Sequence, residues 1–176
     1  MEDIIDLYTL DRKPTGKTAV RYEKLPEDTH RLVVHVCIFS TDGERMVVQR
    51  RHPEKRTWPG TWDISVGGGV VTGEDSAVSG EREVKEELGL DVKLVGTAPV
   101  VSLDTQNTFD DIYLVRSDVL IEDLVLQPEE VVDAKWATEK EICDMIDAGS
   151  FIPYQKGLVS YLFHVAKNGT CMYERK

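Results

Sequence analysis

The chain has 176 residues, of which 41% are hydrophobic and 30% are charged. This composition is typical of a soluble globular protein, and the length favours a single domain over residues 1–176. The formal net charge of −11 argues against binding to a nucleic acid polymer or to an anionic membrane.

The first part of the chain is predicted to form extended segments joined by turns. Residues 4–24 are interpreted as a strand, a turn and a second extended segment. Residues 32–39 carry apolar and β-branched side chains on both faces of the expected strand. This pattern predicts a central strand that is buried on both faces. Asp42 and Gly43 indicate a turn, so residues 46–49 are expected to return as the hairpin partner.

A glycine run follows the next predicted strand. Residues 50–60 form a polar loop, and residues 64–66 predict a short strand that leads into Gly67, Gly68 and Gly69. Glycine permits a tight turn, and it lets the backbone approach a metal ion or a phosphate closely. We therefore expect a turn at the edge of a binding site, in which Gly68 and Gly69 contact the substrate.

The second part of the chain contains three predicted helices. Residues 75–88 predict the first helix, which ends at Gly89 as a left-handed terminator. Thr138 and Glu141 form a capping box that opens a second helix, which extends to about residue 148. A third amphipathic helix is predicted from apolar residues at helical spacing, namely Tyr154, Leu158, Tyr161, Leu162 and Val165. Further strands are predicted at residues 92–96, 100–103, 112–116 and 131–136. This order favours an α/β fold with a mixed sheet flanked by helices.

Three glutamates share one stripe of the first predicted helix. Glu83, Glu86 and Glu87 are separated by spacings of three and four residues, so their carboxylates lie on one face. Carboxylates at this spacing repel one another unless a cation neutralises them. Mg²⁺ prefers oxygen ligands, and substrate phosphates commonly complete its coordination shell. The stripe therefore predicts a magnesium site, with Mn²⁺ as a substitute. A solvated acidic face is the alternative interpretation.

The segment around this helix resembles the signature of the Nudix hydrolase family. That signature consists of Gly, five residues, Glu, seven residues, Arg-Glu, an aliphatic residue, one residue, Glu-Glu, one residue, Gly and an aliphatic residue. The matching residues are Gly68, Glu74, Arg82, Glu83, Val84, Glu86, Glu87, Gly89 and Leu90. The resemblance implies a Nudix-type α/β/α sandwich with a mixed β-sheet. It also implies a hydrolase that cleaves the diphosphate linkage of a nucleoside diphosphate derivative or a related organic diphosphate.

The resemblance implies a role for each residue of the signature helix. Glu83 and Glu87 would be the principal metal ligands, and Glu86 would support them or bind another metal ion. Arg82 would orient Glu83, and the backbone carbonyl of Gly67 or Gly68 would add a ligand.

A carboxylate outside this helix is also expected, as a catalytic base or a further ligand. Asp111 and Glu130 each precede a predicted strand, and Asp111 ranks slightly ahead of Glu130. Ordinary loop acids are the alternative for both. His30 and His35 are interpreted as structural histidines, with metal binding as the alternative.

One basic patch stands out in this acidic chain, and it consists of Arg50, Arg51, Lys55 and Arg56. Arginine forks suit the oxygens of a diphosphate, so these residues are predicted to bind the substrate. A solvated loop is the alternative. Trp58 and Trp62 lie close by and are interpreted as loop-packing residues.

Residues 49–75 resemble the isopentenyl diphosphate isomerase branch of the same family. In that branch a Cys-Gly-His sequence stands where this chain has Gly67, Gly68 and Gly69. Glycine cannot supply the acid or base that isomerisation requires on carbon, whereas the hydrolase glutamates are all present. A hydrolase is therefore favoured, and a prenyl diphosphate isomerase or a non-catalytic nucleotide-binding sensor remain as alternatives.

The cysteines and the hydrophobic segments indicate the cellular compartment of the protein. Cys37, Cys143 and Cys171 show neither metal-ligand spacing nor a disulfide framework, which is typical of a reducing cytosol. The sequence shows no signal peptide and no apolar run long enough for a bilayer. We expect a cytoplasmic protein that acts on a small-molecule diphosphate, without a nucleic acid or membrane partner, and that forms a homodimer.

Overall fold

Seven strands form one mixed sheet around which the rest of the chain is arranged. The computed structural model describes residues 4–170, so Cys171 lies outside the described residues. The elements in chain order are β1 (Ile4–Tyr8), β2 (Pro14–Val20), β3 (Arg31–Phe39), β4 (Met46–Arg51), β5 (Trp62–Asp63), β6 (Val66–Gly69), α1 (Ser76–Leu88), β7 (Val101–Thr105), β8 (Thr108–Arg116), β9 (Val131–Ala137), α2 (Glu139–Asp147) and α3 (Lys156–Asn168).

The strand order of the sheet is β5-β4-β3-β8-β7, with β6 also paired to β3 and β9 paired to β4. Strands β3 and β8 are parallel, whereas the other pairs are antiparallel. Strands β1 and β2 form a separate antiparallel hairpin. The prediction that residues 32–39 form a central strand is confirmed, because β3 has neighbours on both sides.

Helices cover both faces of the sheet. On one face, Val84 and Leu88 of α1 belong to the same hydrophobic cluster as Val34 and Val36 of β3. On the other face, helices α2 and α3 pack against alternate residues of the same strand, such as Phe39. This arrangement confirms the α/β/α sandwich. None of the helices between residues 4 and 170 is long and apolar enough to cross a membrane.

The expected tight turn at the glycine run is wrong. Gly67, Gly68 and Gly69 belong to strand β6, where Gly67 lies opposite His35 and Gly69 opposite Val33. The glycines therefore satisfy backbone hydrogen bonds of the central strand, and their lack of side chains leaves both faces of β6 open to close approach.

The strand predicted at residues 64–66 is interrupted in the structure. Ile64 and Ser65 separate β5 from β6. The Ser65 hydroxyl accepts a hydrogen bond from the Ile38 N–H and donates one to the Val47 carbonyl. This side chain thus takes the place of backbone bonds between β3 and β4.

The strand predicted at residues 92–96 is also wrong. Glu81 on helix α1 accepts hydrogen bonds from the backbone N–H groups of Leu94 (2.6 Å) and Val95 (2.7 Å). Because a carboxylate binds these donors, this segment forms a loop over α1 and does not join the sheet.

Candidate functional site

Helix α1 fixes the position of the candidate site. Asp75 caps its N-terminus by accepting a hydrogen bond from the Val78 N–H at 2.9 Å, and Gly89 ends it with a φ of 73°. Val84 and Leu88 are completely buried against the sheet. Packing of this apolar stripe fixes the rotation of the helix, and so turns the neighbouring glutamate stripe toward an open cavity.

Two of the glutamates are unusually buried for carboxylates. Glu87 is only 5% exposed, and Gln49 Nε2 donates a hydrogen bond to its Oε2 at 2.8 Å. Burial, with added repulsion from Glu83, raises the pKa of Glu87 to about 8. Burial also raises the pKa of Glu83, although the charge of Arg82 opposes the shift.

Arg82 connects the carboxylates along the helix. Its guanidinium donates hydrogen bonds to Glu83 at 3.1 Å, to Glu86 at 3.0 Å and to Glu74 at 3.2 Å. Ser79 donates a further bond to Glu74. Arg82 therefore contacts Glu74, Glu83 and Glu86 at once, and the role that the resemblance implies for it, to orient Glu83, stays a prediction.

Gly68 lies directly against the Glu83 carboxyl group. A Cβ added to Gly68 would overlap the Glu83 carboxyl carbon. The glycine on β6 is therefore needed so that the strand and the carboxylate of α1 can approach each other.

A cavity of about 620 Å³ opens over these glutamates. Its basic lining residues are Arg21, Arg31, Arg51, Lys55 and Arg82, and its acidic ones are Asp63, Glu83, Glu86, Glu87 and Glu130. Cations and carboxylates thus share one cavity, which suits a phosphate ester that is bound together with a metal ion.

The structure divides the predicted basic patch. Arg51 and Lys55 line the cavity. Arg50 does not, and it donates instead to the Gly60 carbonyl at 3.1 Å. Arg56 lies with its guanidinium 5.0 Å from the ring centre of Tyr22, in a neighbouring depression. Only half of the patch is therefore placed where a diphosphate could bind beside the glutamates.

The structure places Asp111 and Glu130 in very different surroundings. Asp111 is 2% exposed and accepts hydrogen bonds from Arg12 (2.8 Å), Ser76 (2.7 Å) and Ser102 (2.6 Å). Burial raises the pKa of Asp111, but these donors outweigh it and hold the pKa below its usual value. Asp111 does not line the cavity, so its place is in a structural network.

Glu130 is brought to the site instead. It lies in the turn directly before β9, lines the cavity and forms an ion pair with Lys55. The charge of Glu130 also contributes to the raised pKa of Glu87, so the two carboxylates are close enough to interact. Of the two predicted outer carboxylates, the structure therefore brings Glu130 to the glutamates.

The two histidines also differ in position. His30 is stacked on Phe109, with 4.5 Å between ring centres, and pairs with Asp104, outside the cavity. His35 lines the cavity, and its Nδ1 lies 2.6 Å from Asp110 Oδ1. Burial lowers the pKa of His35, but the hydrogen bond and charge of Asp110 outweigh it, so the pKa is raised overall.

Sequence reasoning missed Tyr154 and Asp63 as cavity residues. The Tyr154 hydroxyl donates to Asp63 Oδ1 at 2.8 Å and lies 3.5 Å from His35 Nε2. Burial raises the pKa of Tyr154, and the charge of Asp63 raises it further. The helical spacing assigned Tyr154 to α3, but α3 begins at Lys156, which leaves Tyr154 in the preceding segment and facing the cavity.

The donor set of the cavity fits a hard divalent cation. Within residues 4–170, no three acidic, histidine or cysteine side chains already form a metal-binding group. The Arg82 guanidinium is hydrogen-bonded to Glu83 and Glu86. However, burial disfavours the charged forms of the Glu83 and Glu87 carboxylates and raises their pKa values. A bound cation would stabilise the charged forms. The nearby Gln49 Oε1 is buried without a hydrogen-bond partner, and an amide oxygen also suits such an ion.

A family model and the similar proteins of known sequence point to the same family. The family model described as the NUDIX domain matches residues 29–156. An uncharacterized Nudix hydrolase of Listeria monocytogenes is 41% identical over 168 residues, which cover 96% of this chain and 97% of that protein. An isopentenyl-diphosphate Delta-isomerase of Brevibacterium linens is 29% identical over 138 residues, which cover 73% of this chain and 74% of that enzyme.

Solved structures show the same fold. A crystal structure of a Deinococcus radiodurans protein has a TM-score of 0.72 at 24% identity and covers 92% of this chain and 98% of its own. The MutT protein of Methanosarcina mazei has a TM-score of 0.59 at 21% identity and covers 79% of this chain and 96% of its own.

Proposed function

This chain belongs to the Nudix hydrolase family, and we propose that it cleaves the diphosphate linkage of a nucleoside diphosphate derivative or a related organic diphosphate. In this proposal Glu83, Glu86 and Glu87 hold Mg²⁺, for which Mn²⁺ can substitute. The backbone carbonyl of Gly67 or Gly68 is proposed as an additional ligand.

The single observation that carries this proposal is the composition of the cavity. Glu87 is a buried carboxylate and Glu83 a largely buried one on the same face of a rigid helix, and Arg51 and Lys55 line the same cavity. A solvated acidic face, which was the alternative interpretation of the stripe, would not bury its carboxylates. Carboxylates that gather at a cavity with cations are suited to a metal-bound diphosphate.

The residues of the chain would divide the reaction between them. Arg51 and Lys55 would hold phosphate oxygens, and Arg82 would keep the Glu83 carboxylate in place. Glu130 would accept the proton of the attacking water, because it is the outer carboxylate that lines the cavity. When bound, Mg²⁺ lowers the pKa of water and neutralises charge that develops on the phosphate oxygens.

A prenyl diphosphate isomerase is the second candidate function. The Brevibacterium relative carries that name, and its similarity extends over 73% of this chain. Gly67 and Gly69 argue against it, since neither can exchange a proton with carbon. His35 and Tyr154 do line the cavity, so the isomerase must be tested directly.

We also keep three broader expectations as part of the proposal. Residues 1–176 are interpreted as one domain, the protein is placed in the cytoplasm, and a homodimer is expected. A buried, reduced thiol at Cys37 is consistent with a reducing compartment.

The experiment that tests the proposed function is a substrate panel with purified protein. Nucleoside diphosphates, nucleoside triphosphates, dinucleotides and prenyl diphosphates are incubated with Mg²⁺, with Mn²⁺ and with a chelator, and phosphate-containing products are measured. We expect metal-dependent cleavage of at least one diphosphate. If no member of the panel is cleaved under any of the metal conditions, the proposed function is wrong.

A further inference from the structure

Gln49 is a buried polar residue to which the proposed reaction assigns no task. It lies on strand β4 and is only 1% exposed. It is not among the described residues that line the cavity over the glutamates. An amide at such a position is unfavourable unless its polar atoms are hydrogen-bonded. The contacts of this amide therefore indicate why a polar residue stands there.

Strand β4 directs the Gln49 side chain toward helix α1. Successive residues of a strand face opposite sides of the sheet. Met46 and Val48 belong to the hydrophobic cluster on the side of α2 and α3, whereas Val47 belongs to the cluster on the side of α1. Gln49 follows Val47 by two residues, so it faces α1 as well and reaches that helix at Glu87.

The two polar atoms of the Gln49 amide differ in their surroundings. Nε2 donates a hydrogen bond to Glu87 Oε2 at 2.8 Å. Oε1 is buried and has no hydrogen-bond partner among the residues that the structure describes. Rotating the amide would place Oε1 against a carboxylate oxygen, so Glu87 fixes its orientation. An apolar side chain would avoid the unpaired oxygen, and the donor to Glu87 is therefore what the amide contributes.

Glu87 has one side toward the cavity and the other toward Gln49. It lines the cavity, although it is only 5% exposed. The terminal torsion of a glutamate is broad, so its carboxylate plane is not fixed by the rotamer alone. A hydrogen bond to Oε2 fixes that plane and leaves Oε1 for a cation. Because the amide is uncharged, it orients the carboxylate without adding a positive charge that would repel a metal ion.

We propose that Gln49 is a positioning residue that holds the Glu87 carboxylate in the orientation in which it binds the divalent cation. This inference rests on the metal site of the proposed function, and it adds to that site a residue from outside the signature helix. Gln49 acts through Glu87 and does not touch the ion. Removing the hydrogen-bond partner of a metal ligand typically weakens metal binding by about ten- to a hundredfold.

The first test replaces the amide with an apolar side chain of similar size. Gln49→Met removes both the donor and the unpaired oxygen. Electron paramagnetic resonance measures the dissociation constant for Mn²⁺ without any substrate, and urea unfolding with a chelator shows that the variant is folded. We expect the dissociation constant to rise by at least about tenfold. The Mg²⁺ concentration for half-maximal turnover should rise similarly, while kcat at saturating Mg²⁺ stays within a few-fold of wild type.

A second variant separates positioning from direct binding of the ion. Gln49→Glu keeps the size of the side chain and an acceptor oxygen, but it replaces the donor with a carboxylate that repels Glu87. We expect Mn²⁺ binding to weaken by at least about tenfold in this variant too. If the Gln49 oxygen itself were a ligand, the added negative charge would strengthen Mn²⁺ binding.

Val47→Ala is the matched control on the same face of the same strand. It removes buried methyl groups from the cluster beneath α1 and should lower the free energy of unfolding. The donor to Glu87 remains, so the dissociation constant for Mn²⁺ should stay at the wild-type value. This control shows whether any loss of packing beneath α1 weakens metal binding.

The outcomes separate the inference from the proposed function. A wild-type dissociation constant in Gln49→Met, tighter binding in Gln49→Glu, or an equal loss in Val47→Ala would each overturn the inference and leave the hydrolase intact. If the wild-type protein binds Mn²⁺ and the variants behave as expected, but no diphosphate is cleaved, the proposed function fails and the inference stands. If the wild-type protein binds no Mn²⁺, the inference is wrong.

Discussion

At the scale of single residues, the proposed chemistry depends on the carboxylates of Glu83 and Glu87. We expect Glu83→Gln and Glu87→Gln each to lower kcat by at least about a hundredfold, because each removes a charge that would hold the metal ion. Both side chains lie off the apolar stripe of α1, so the fold should be retained. Steady-state kinetics on the best substrate, with circular dichroism of each variant, measure both effects.

Glu81 offers a matched control on the same helix. Its carboxylate binds the Leu94 and Val95 N–H groups and does not line the cavity. Glu81→Gln should therefore lower stability more than activity. Turnover near the wild-type rate in Glu83→Gln or Glu87→Gln would remove these residues from the proposed mechanism.

Asp111 should act on stability and not on catalysis. Its pKa is lowered in the folded protein, so its charge stabilises the fold above the ordinary carboxyl pKa of 3.8. That contribution is lost as the pH falls through the pKa that Asp111 has in the folded protein, which is below 3.8. Asp111→Asn should lower the free energy of unfolding by about 1–3 kcal/mol at pH 7, and the deficit should shrink toward pH 3.

Urea unfolding of wild type and Asp111→Asn at pH 7, 5, 4 and 3 measures this difference, with turnover at pH 7 as the second readout. We expect turnover within a few-fold of wild type. A large loss of turnover in a variant of normal stability would return Asp111 to the role of catalytic base, and a deficit that is equal at every pH would contradict the electrostatic explanation.

The glutamate stripe could be predicted from the sequence, whereas the choice between Asp111 and Glu130 could not. Helical spacing is local, so Glu83 and Glu87 were placed on one face without knowledge of the rest of the fold. Strand alternation shows only that Asp110 and Asp111 face opposite sides of β8. Which side faces the cavity depends on how the chain returns at β6 and β9, and that is not a local property.

At the scale of elements, Gly80 determines how closely α1 packs on the sheet. A Cβ there would lie 2.8 Å from Leu94 Cδ1 and 3.2 Å from Cγ2 of both Val34 and Val36. Gly80→Ala should therefore destabilise the protein by about 1–2 kcal/mol, although alanine is the better helix former by about 0.5–1 kcal/mol.

Gly157 in α3 is the control for this substitution. A Cβ at Gly157 meets no atom within 4 Å, so Gly157→Ala should raise the free energy of unfolding by a few tenths of a kcal/mol up to about 1 kcal/mol. Chemical denaturation measures both variants. Gly80→Ala with at least wild-type stability would show that the contact with the sheet relaxes without cost.

The long elements could be predicted because their signals are strong and local. The capping box of α2 is present as expected, with Thr138 and Glu141 bonded reciprocally. The errors at residues 64–66 and 92–96 share another cause, because the side chains of Ser65 and Glu81 bind backbone groups that strands would otherwise use. Such bonds join residues that are distant in sequence, and local patterns do not record them.

At the scale of the whole molecule, the metal ion should stabilise the folded state. Binding at 100 times its dissociation constant contributes about 2.7 kcal/mol, which corresponds to a rise of several degrees in Tm for a chain of this size. We expect Mg²⁺ or Mn²⁺ to produce this shift in differential scanning fluorimetry, and a chelator to reverse it. A Glu83→Gln/Glu87→Gln double variant should show no shift, and a shift of equal size in that variant would place the ion elsewhere.

In the proposed reaction water attacks phosphorus, and no proton is moved on carbon. The most direct measurement is a reaction of the best substrate in ¹⁸O-labelled water with Mg²⁺, followed by mass spectrometry of the products, with isopentenyl diphosphate incubated in parallel. We expect the label to appear in a phosphate product and no dimethylallyl diphosphate to form. Label in a phosphate-free alcohol, which would mean that water attacks carbon, or conversion of isopentenyl diphosphate at an enzymatic rate would contradict this mechanism.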